Sequence, residues 1–547
     1  MSVATESPPT GAARSWLPAR LALSRAKHPS VTGHAKLSRV LARWLPYFEY
    51  GPDDVLCSDG CPEEIRHMRA EAFERLSTRL IEKRPRSLEM TARLAGGLSD
   101  LQFIDAYRIP YPYRAQLAHK LRVGALYEAS EGVRVRDLDG NWSYDLTGSY
   151  GVNVFGLDFY KECIDRAARR AGELGPLLGP YHPVILDNVE RLQALSGHDE
   201  VSFHMSGTEA VMQATACARY HTGRKRLVRF CGAYQGWWDG VQPGVGNPRK
   251  VHDVYTLSEM SEDTLHVLDS RRDIACVLVN PLQALSPNAA AAGDATLLNS
   301  KRSAAYDKAA YTRWLRRLRE ICTRRGIVLI LDEVFLGFRV ARGGVQEYFG
   351  IEADMVTYGK TLGGGLPIGV VCGPNEIMKR YRPERPSDIH FARGTFNGHP
   401  YVMAAMNEFL QKLDDPEIQA AYEGMDERWD GRRAELNERL RSAGLPVEFA
   451  NMTSVWTTLY KRPSRYNWLF QFYLRAEGLA LSWVGSGRFI FSHAYDDARF
   501  DEVARRIVSA AEKMDADGWW WTDGRLDNGR INRQVLRRSL RALVRGR

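Results

Sequence analysis

Between about Cys163 and Met403, short apolar runs alternate with longer stretches of helical character. The runs are "RLVRF" (Arg226 to Phe230), "IACVLV" (Ile274 to Val279), "IVLILD" (Ile327 to Asp332) and "DMVTYG" (Asp354 to Gly359). Continuous β-branched runs suit strands buried on both faces, and the helical stretches between them suit crossovers. The pattern therefore predicts βαβ units and a mainly parallel sheet. Open α/β sheets collect ligands at the carboxyl ends of their strands, so the residues just after each run are where chemistry is sought.

At 547 residues the chain exceeds what one core supports, and at least two domains are expected. Residues 1–108 read as an N-terminal helical extension, partly disordered to about residue 35. Helical spacing then runs through Leu37, Val40, Leu41, Trp44 and Phe48, and again through Ile65, Met68, Ala72, Leu76 and Leu80. "IPYPYR" (Ile109 to Arg114) cannot continue a helix and marks a boundary. Residues 109–162 open a small domain with a hairpin turning at Asp139-Gly140-Asn141. Residues 163–405 form the large domain. Residues 406–515 complete a smaller α+β domain, with strands in "TSVWTTLY" and "RFIFSHA". A basic tail, 516–547, begins beside Trp519, Trp520 and Trp521, which are costly to expose and are expected to anchor it on the body or at a subunit contact.

The net charge of +9 comes largely from arginines bunched near the ends, which reads as a solvated helix and not a nucleic-acid site. Cys57 and Cys61 lack the second ligand pair that a structural metal needs, so no metal is expected. The other cysteines sit mostly in apolar surroundings without repeating spacing, which suits a reducing compartment. No apolar run reaches the ~20 residues that span a bilayer, and a cytoplasmic location is expected.

After "SFHM" comes Ser206-Gly207-Thr208-Glu209-Ala210, opening an apolar helix. Its free N–H groups and positive end form an anion site, although an ordinary cap looks the same. After "RLVRF" come Tyr234, Trp237 and Trp238, able to stack on a planar ring or to pack in a core. After "IVLIL" comes Asp332, a carboxylate leaving a buried strand and needing an ionic partner, with Arg339 as the structural alternative. After "DMVTYG" comes Lys360, backed by glycines that give a bulky ligand room. A lysine of lowered basicity forms an imine with an aldehyde.

Taken in order, Ser206-Gly207-Thr208-Glu209-Ala210, Tyr234-Gln235-Gly236, Asp332-Glu333-Val334 with Gly337-Phe338-Arg339, Gly359-Lys360 with Gly363-Gly364-Gly365, and Gly394-Thr395-Phe396 resemble the class III aminotransferases. The resemblance spans about Val133 to Arg505. It is strongest toward the glutamate-1-semialdehyde aminomutase branch, and within that toward aminotransferase modules of polyketide and lipopeptide assembly lines. It implies an α/β fold type I transferase, aspartate-aminotransferase-like, with pyridoxal 5'-phosphate and a homodimer with shared sites. By that resemblance Lys360 holds the cofactor and moves the proton, and Asp332 pairs with the ring nitrogen. Ser206, Gly207 and Thr208 hold the phosphate, and Tyr234 and Val334 face the ring. Gln235, Asn280 and Gln283 complete the contacts, and Thr395 reaches the phosphate of a neighbouring subunit. Ser149 and Tyr150 fall where substrate is bound.

Two positions depart from the family. Gln235 stands where histidine is usual, and Asn280 where glutamate is usual, so two ionisable groups are lost. The expected reaction is transfer of an amino group from an amino-acid donor to an oxo or aldehyde group of an acyl-chain or natural-product intermediate, with an acyl carrier protein as a candidate partner. An aminomutase-type isomerase and an inactive scaffold of the same fold are the alternatives.

Overall fold

The computed structural model describes residues 19–27, 48–241, 253–288, 303–304, 306–390, 392–482 and 487–544. The helical reading of residues 36–47 lies outside them.

An antiparallel meander of β1 (Tyr127–Glu131), β2 (Arg134–Asp137) and β3 (Trp142–Asp145) comes first. Its second turn is made at Gly140 (φ 82°), where the Asp137 carboxylate accepts from the N–H groups of Asp139 and Asn141. The large sheet contains β4 (Glu200–His204), β5 (Arg226–Phe230), β6 (Val254–Leu257), β7 (Ile274–Val279), β8 (Val328–Asp332), β9 (Met355–Gly359) and β10 (Gly369–Gly373). Their order is β4-β10-β9-β8-β7-β5-β6, parallel except for β10, which runs antiparallel to both neighbours. β7, β8 and β9 are buried along their whole length, as continuous apolar runs require.

β10 has no counterpart in the sequence reading, because its three apolar residues are closed off by glycine at both ends. Gly369 is required there: a Cβ would lie 2.0 Å from the carbonyl oxygen of Ser206. This close approach seats β10 against the start of the helix Gly207–Thr222.

A hairpin, β11 (Tyr381–Arg382) and β12 (Arg385–Ile389), precedes the small domain. There β13 (Val447–Met452), β14 (Val455–Tyr460) and β16 (Arg488–Ile490) pair antiparallel, while β15 (Leu479–Ala480) joins β3 in parallel. The core of this domain also holds Tyr50, Phe73, Leu76 and Tyr113 from the N-terminal segment and Trp519 and Trp520 from the tail. Trp519 Nε1 donates to the Tyr473 hydroxyl at 2.7 Å and Trp520 Nε1 to Asn467 Oδ1 at 2.8 Å, so the tail is anchored on the body.

One reading is corrected. Within the stretch expected to be loose, Ala19–Ala26 is a helix whose Ala22 and Ala26 are buried. The chain beyond it pairs with the sheet through Lys27 and Leu257. The prolines of "IPYPYR" end one helix at Arg108 and begin the next, Tyr111–Leu117. Proline is tolerated in a first turn because its missing N–H would have no partner there anyway.

Candidate active site

β8 delivers Asp332 and β9 delivers Lys360, and the pairing Asp332 with Thr357 sets the two ends side by side. Lys360 takes a left-handed backbone (φ 48°), a strained choice for a residue with a side chain. Burial lowers the basicity of its amine, Asp332 opposes that shift, and Arg339 adds to it. Burial pushes the Asp332 carboxyl up to about 6, with the Lys360 charge pulling it back. The two groups therefore favour each other's charged form within a site that penalises both.

Arg339 is not the partner of Asp332. Its guanidinium donates to the Asn153 carbonyl at 2.9 Å, the Phe491 carbonyl at 2.7 Å and the Ser454 hydroxyl at 3.0 Å. It thus ties the segment after β8 to the chain after β3 and to the end of β16, leaving Lys360 as the cation that acts on Asp332.

The helix Gly207–Thr222 is capped by Ser206, whose hydroxyl accepts from the Glu209 N–H at 3.3 Å, and the Glu209 carboxylate accepts from the Met205 N–H at 2.9 Å. The Ala210 N–H goes to the Ser206 carbonyl. Among the described residues nothing takes the N–H groups of Gly207 and Thr208, which suits this helix start to an anion. At Gly207 a Cβ would lie 2.6 Å from Val334, and at Gly236 it would lie 2.7 Å from the Thr208 hydroxyl. Those two glycines let three strand ends converge.

The Gly363–Gly365 cluster serves a different purpose from the one its sequence suggests. A Cβ on Gly364 would meet the Ala405 carbonyl at 2.3 Å, and one on Gly365 would meet Ile164 at 3.0 Å. These glycines admit the helix Pro400–Lys412 and its neighbour, and the room they make is for protein.

Tyr234 leaves β5 with 61 % of its surface exposed, and its phenol is raised by burial and by the Asp332 charge. Three amides hold its loop. Asn280 Nδ2 donates to the Tyr234 carbonyl at 2.9 Å, Gln283 Nε2 to the Gly232 carbonyl at 3.0 Å, and Gln235 Nε2 to the Leu278 carbonyl at 3.1 Å. The amide positions that replace ionisable groups therefore bind backbone. Trp238 packs on the core, while Trp237 is exposed.

Ser149 and Tyr150 lie in a run of four left-handed residues, Gly148 to Gly151. Asp145 supports it, accepting from the Thr147 N–H at 2.9 Å and hydroxyl at 2.6 Å, and the Thr147 hydroxyl accepts from the Ser149 N–H at 3.0 Å. The strain of Ser149 and Tyr150 costs about 1 kcal/mol each or more. A Cβ on Gly151 would lie 2.7 Å from the Phe335 ring and 3.1 Å from Lys360 Cδ, so this loop covers the lysine. Phe335, with Lys360 Nζ 5.4 Å from its ring centre, was not singled out by sequence, since nothing marks one phenylalanine among many. Thr395 is exposed on the turn before the helix Pro400–Lys412.

These residues fit pyridoxal phosphate. An amine of depressed basicity, a buried carboxylate and, among the described residues, two unpartnered N–H groups, with an exposed aromatic ring, match its aldehyde, ring nitrogen, phosphate and ring face.

Such a site at the carboxyl ends of such a sheet defines a fold type I pyridoxal-phosphate-dependent transferase. The chain belongs to the class III aminotransferases, whose family model (Aminotransferase class-III) matches residues 116–448. It is a pyridoxal-phosphate-dependent aminotransferase. A glutamate-1-semialdehyde 2,1-aminomutase of Geotalea daltonii is 29% identical over 70% of this chain and 90% of its own length. One from Nitratidesulfovibrio vulgaris is 31% identical over 69% and 90%. Among solved structures, a transaminase with PLP bound is 26% identical with a TM-score of 0.60, covering 72% of this chain and 92% of its own. A glutamate-1-semialdehyde aminomutase of Pseudomonas aeruginosa shares the fold, with a TM-score of 0.65 at 19% identity over 82% and 99%.

Proposed function

We propose that the enzyme transfers an amino group from an amino-acid donor to an oxo or aldehyde carbon of an acyl-chain intermediate. The observation that carries the amino-transfer chemistry is the placement of Lys360, just past β9, beside the buried Asp332 at the end of the neighbouring β8.

Bound pyridoxal phosphate supplies an aldehyde that exchanges oxygen for an amino group and a ring that accepts the electron pair left on the substrate carbon. Lys360 Nζ would hold the cofactor through its aldehyde and would serve as the acid-base group for the proton on the substrate α-carbon. Burial keeps a larger share of this amine neutral than an exposed lysine would have. Asp332 keeps the ring nitrogen protonated. The Gly207 and Thr208 N–H groups would hold the phosphate, Tyr234 and Val334 would face the ring, and Ser149 and Tyr150, in the loop that covers the lysine, would orient substrate. Asn280, Gln283 and Gln235 act by positioning the Tyr234 loop.

Two features support an extended substrate and a second copy of the chain. Residues 48–108 and 515–544 lie outside the matched segment, and Tyr50, Phe73, Leu76, Trp519 and Trp520 from them share one core with the C-terminal strands. On the last helix the exposed Arg533, Arg537 and Arg541 would steer an acidic carrier protein. An apolar cavity of about 500 Å³, lined by Ile164, Leu366, Phe396, His399 and Tyr401, adjoins the exposed Thr395 turn and suits a homodimer contact.

The names of the relatives favour a second reading, an aminomutase that isomerises its substrate in place. Incubation of an amino-aldehyde or oxo-acyl substrate with and without glutamate or alanine separates them. Amine formation that requires the donor supports transamination. Rearrangement without a donor supports the aminomutase, and no turnover with bound cofactor supports a scaffold.

A further inference from the structure

A loop of the N-terminal segment, just before the helix Glu63–Glu82, carries two thiols in contact. Cys57 Sγ and Cys61 Sγ are 3.0 Å apart, within about 1 Å of bonding distance. Gly60, at φ 80°, turns the chain between them, and the Gly60 N–H bonds the Cys57 carbonyl. Cys57 is half-buried and Cys61 is buried; the other six cysteines, Cys163, Cys217, Cys231, Cys276, Cys322 and Cys372, are all buried.

Asp59 brings a carboxylate into the same cluster, which gives it the donor types of a metal site. Arg69 has already claimed that carboxylate, donating to both oxygens at 2.9 and 2.7 Å. Its guanidinium also stands 3.5 Å from Cys61 Sγ. A fixed cation there opposes a second cation and leaves only two thiols to ligate, which is too few for a stable site.

The same loop is a clasp. The Ser58 N–H donates to the Tyr466 hydroxyl at 2.8 Å, the Ser58 hydroxyl meets that of Tyr113 at 2.8 Å, and Tyr466 donates to the Val55 carbonyl at 3.0 Å. Arg69 donates onward to the carbonyls of Leu56 at 2.9 Å and Gly518 at 3.0 Å. The loop, the small domain and the tail thus meet at one point.

We propose that Cys57 and Cys61 are a modification site, a dithiol that a low-molecular-weight or protein disulfide oxidises to an intramolecular disulfide, locking this clasp. The Cys57 thiolate, the more accessible, attacks the oxidant's disulfide and releases one thiol. The Cys61 thiolate then attacks Cys57 in that mixed disulfide and releases the second. Two cysteine sulfurs are oxidised, the two sulfurs of the oxidant are reduced, and the two thiol protons end on the released thiols. Burial raises the Cys61 thiol above its ordinary range, and its 3.0 Å approach to Cys57 Sγ places it for the second attack.

The test uses the full-length holoenzyme in glutathione buffers of graded redox ratio, quenched by denaturation with an alkylating agent and read by peptide mass. The expected result is a peptide holding Cys57 and Cys61 that is two hydrogens lighter and unalkylated, while the other six cysteines are alkylated. Hydrogen exchange at the Ser58 amide should slow by about tenfold in the oxidised form, because the closed loop restricts local opening. Cys57→Ser and Cys61→Ser should each abolish both effects. Alkylation of both cysteines at every redox ratio, a glutathione adduct that persists on Cys57, or slowed exchange that survives in either variant would overturn the proposal.

Discussion

Asn280 donates its side-chain amide to the backbone carbonyl of Tyr234 at 2.9 Å, while its own oxygen accepts from the Leu282 N–H at 3.2 Å. A carboxylate at this position could not make the first bond and would repel the carbonyl. Asn280→Asp should free the Tyr234 loop and weaken pyridoxal-phosphate binding about tenfold, the worth of roughly one neutral hydrogen bond. Titration of the apoenzyme with cofactor, followed by absorbance, checks this. Unchanged affinity would show that the loop is held by other contacts.

Gly364 has φ 59°, and a Cβ there would lie 2.3 Å from the Ala405 carbonyl. Gly364→Ala should cost about 2–4 kcal/mol, from backbone strain and overpacking together. Gly97→Ala is a control, since nothing lies within 4 Å of a Cβ at Gly97. Urea unfolding of the two variants gives the comparison. Equal stabilities would return the glycine cluster to the role its sequence suggests, as room for the ligand.

How far the site was legible follows from what each residue depends on. Lys360, Tyr234 and Ser206 follow short strands and Asp332 ends one, so their place at the sheet's carboxyl edge could be read from local pattern. The purpose of Gly363 to Gly365 could not, because it depends on a helix that begins at Pro400 and returns across the chain. Arg339 was open for the same reason. Nothing local separates a partner seven residues back from carbonyls at Asn153 and Phe491. The N-terminal segment showed its helical period at Ala72, Leu76 and Leu80. That it shares a core with Trp519 and Trp520 rests on contacts made over hundreds of residues.

Glu259 is buried beyond the end of β6. Its Oε1 accepts from the Tyr311 hydroxyl at 2.6 Å, Oε2 has no partner among the described residues, and burial pushes the carboxyl up to about 8. A raised acid contributes stability that is complete below its unfolded value of 4.5 and is lost as pH rises through 8. Glu259→Gln should therefore flatten the fall in melting temperature between about pH 5 and pH 8. A residual slope should remain, because burial also pushes Glu333 up to about 8. Thermal scans across this range decide it. A slope identical to that of the native chain would show that Glu259 is not the titrating group.

The account depends most on Lys360 as the amine that holds the cofactor. The direct measurement is borohydride reduction of the purified holoenzyme followed by peptide mass spectrometry. The expected result is one pyridoxyl adduct, on the peptide containing Lys360, and its absence from a folded Lys360→Ala variant. An adduct on another lysine, or an equal adduct in the variant, would contradict the assignment of this site.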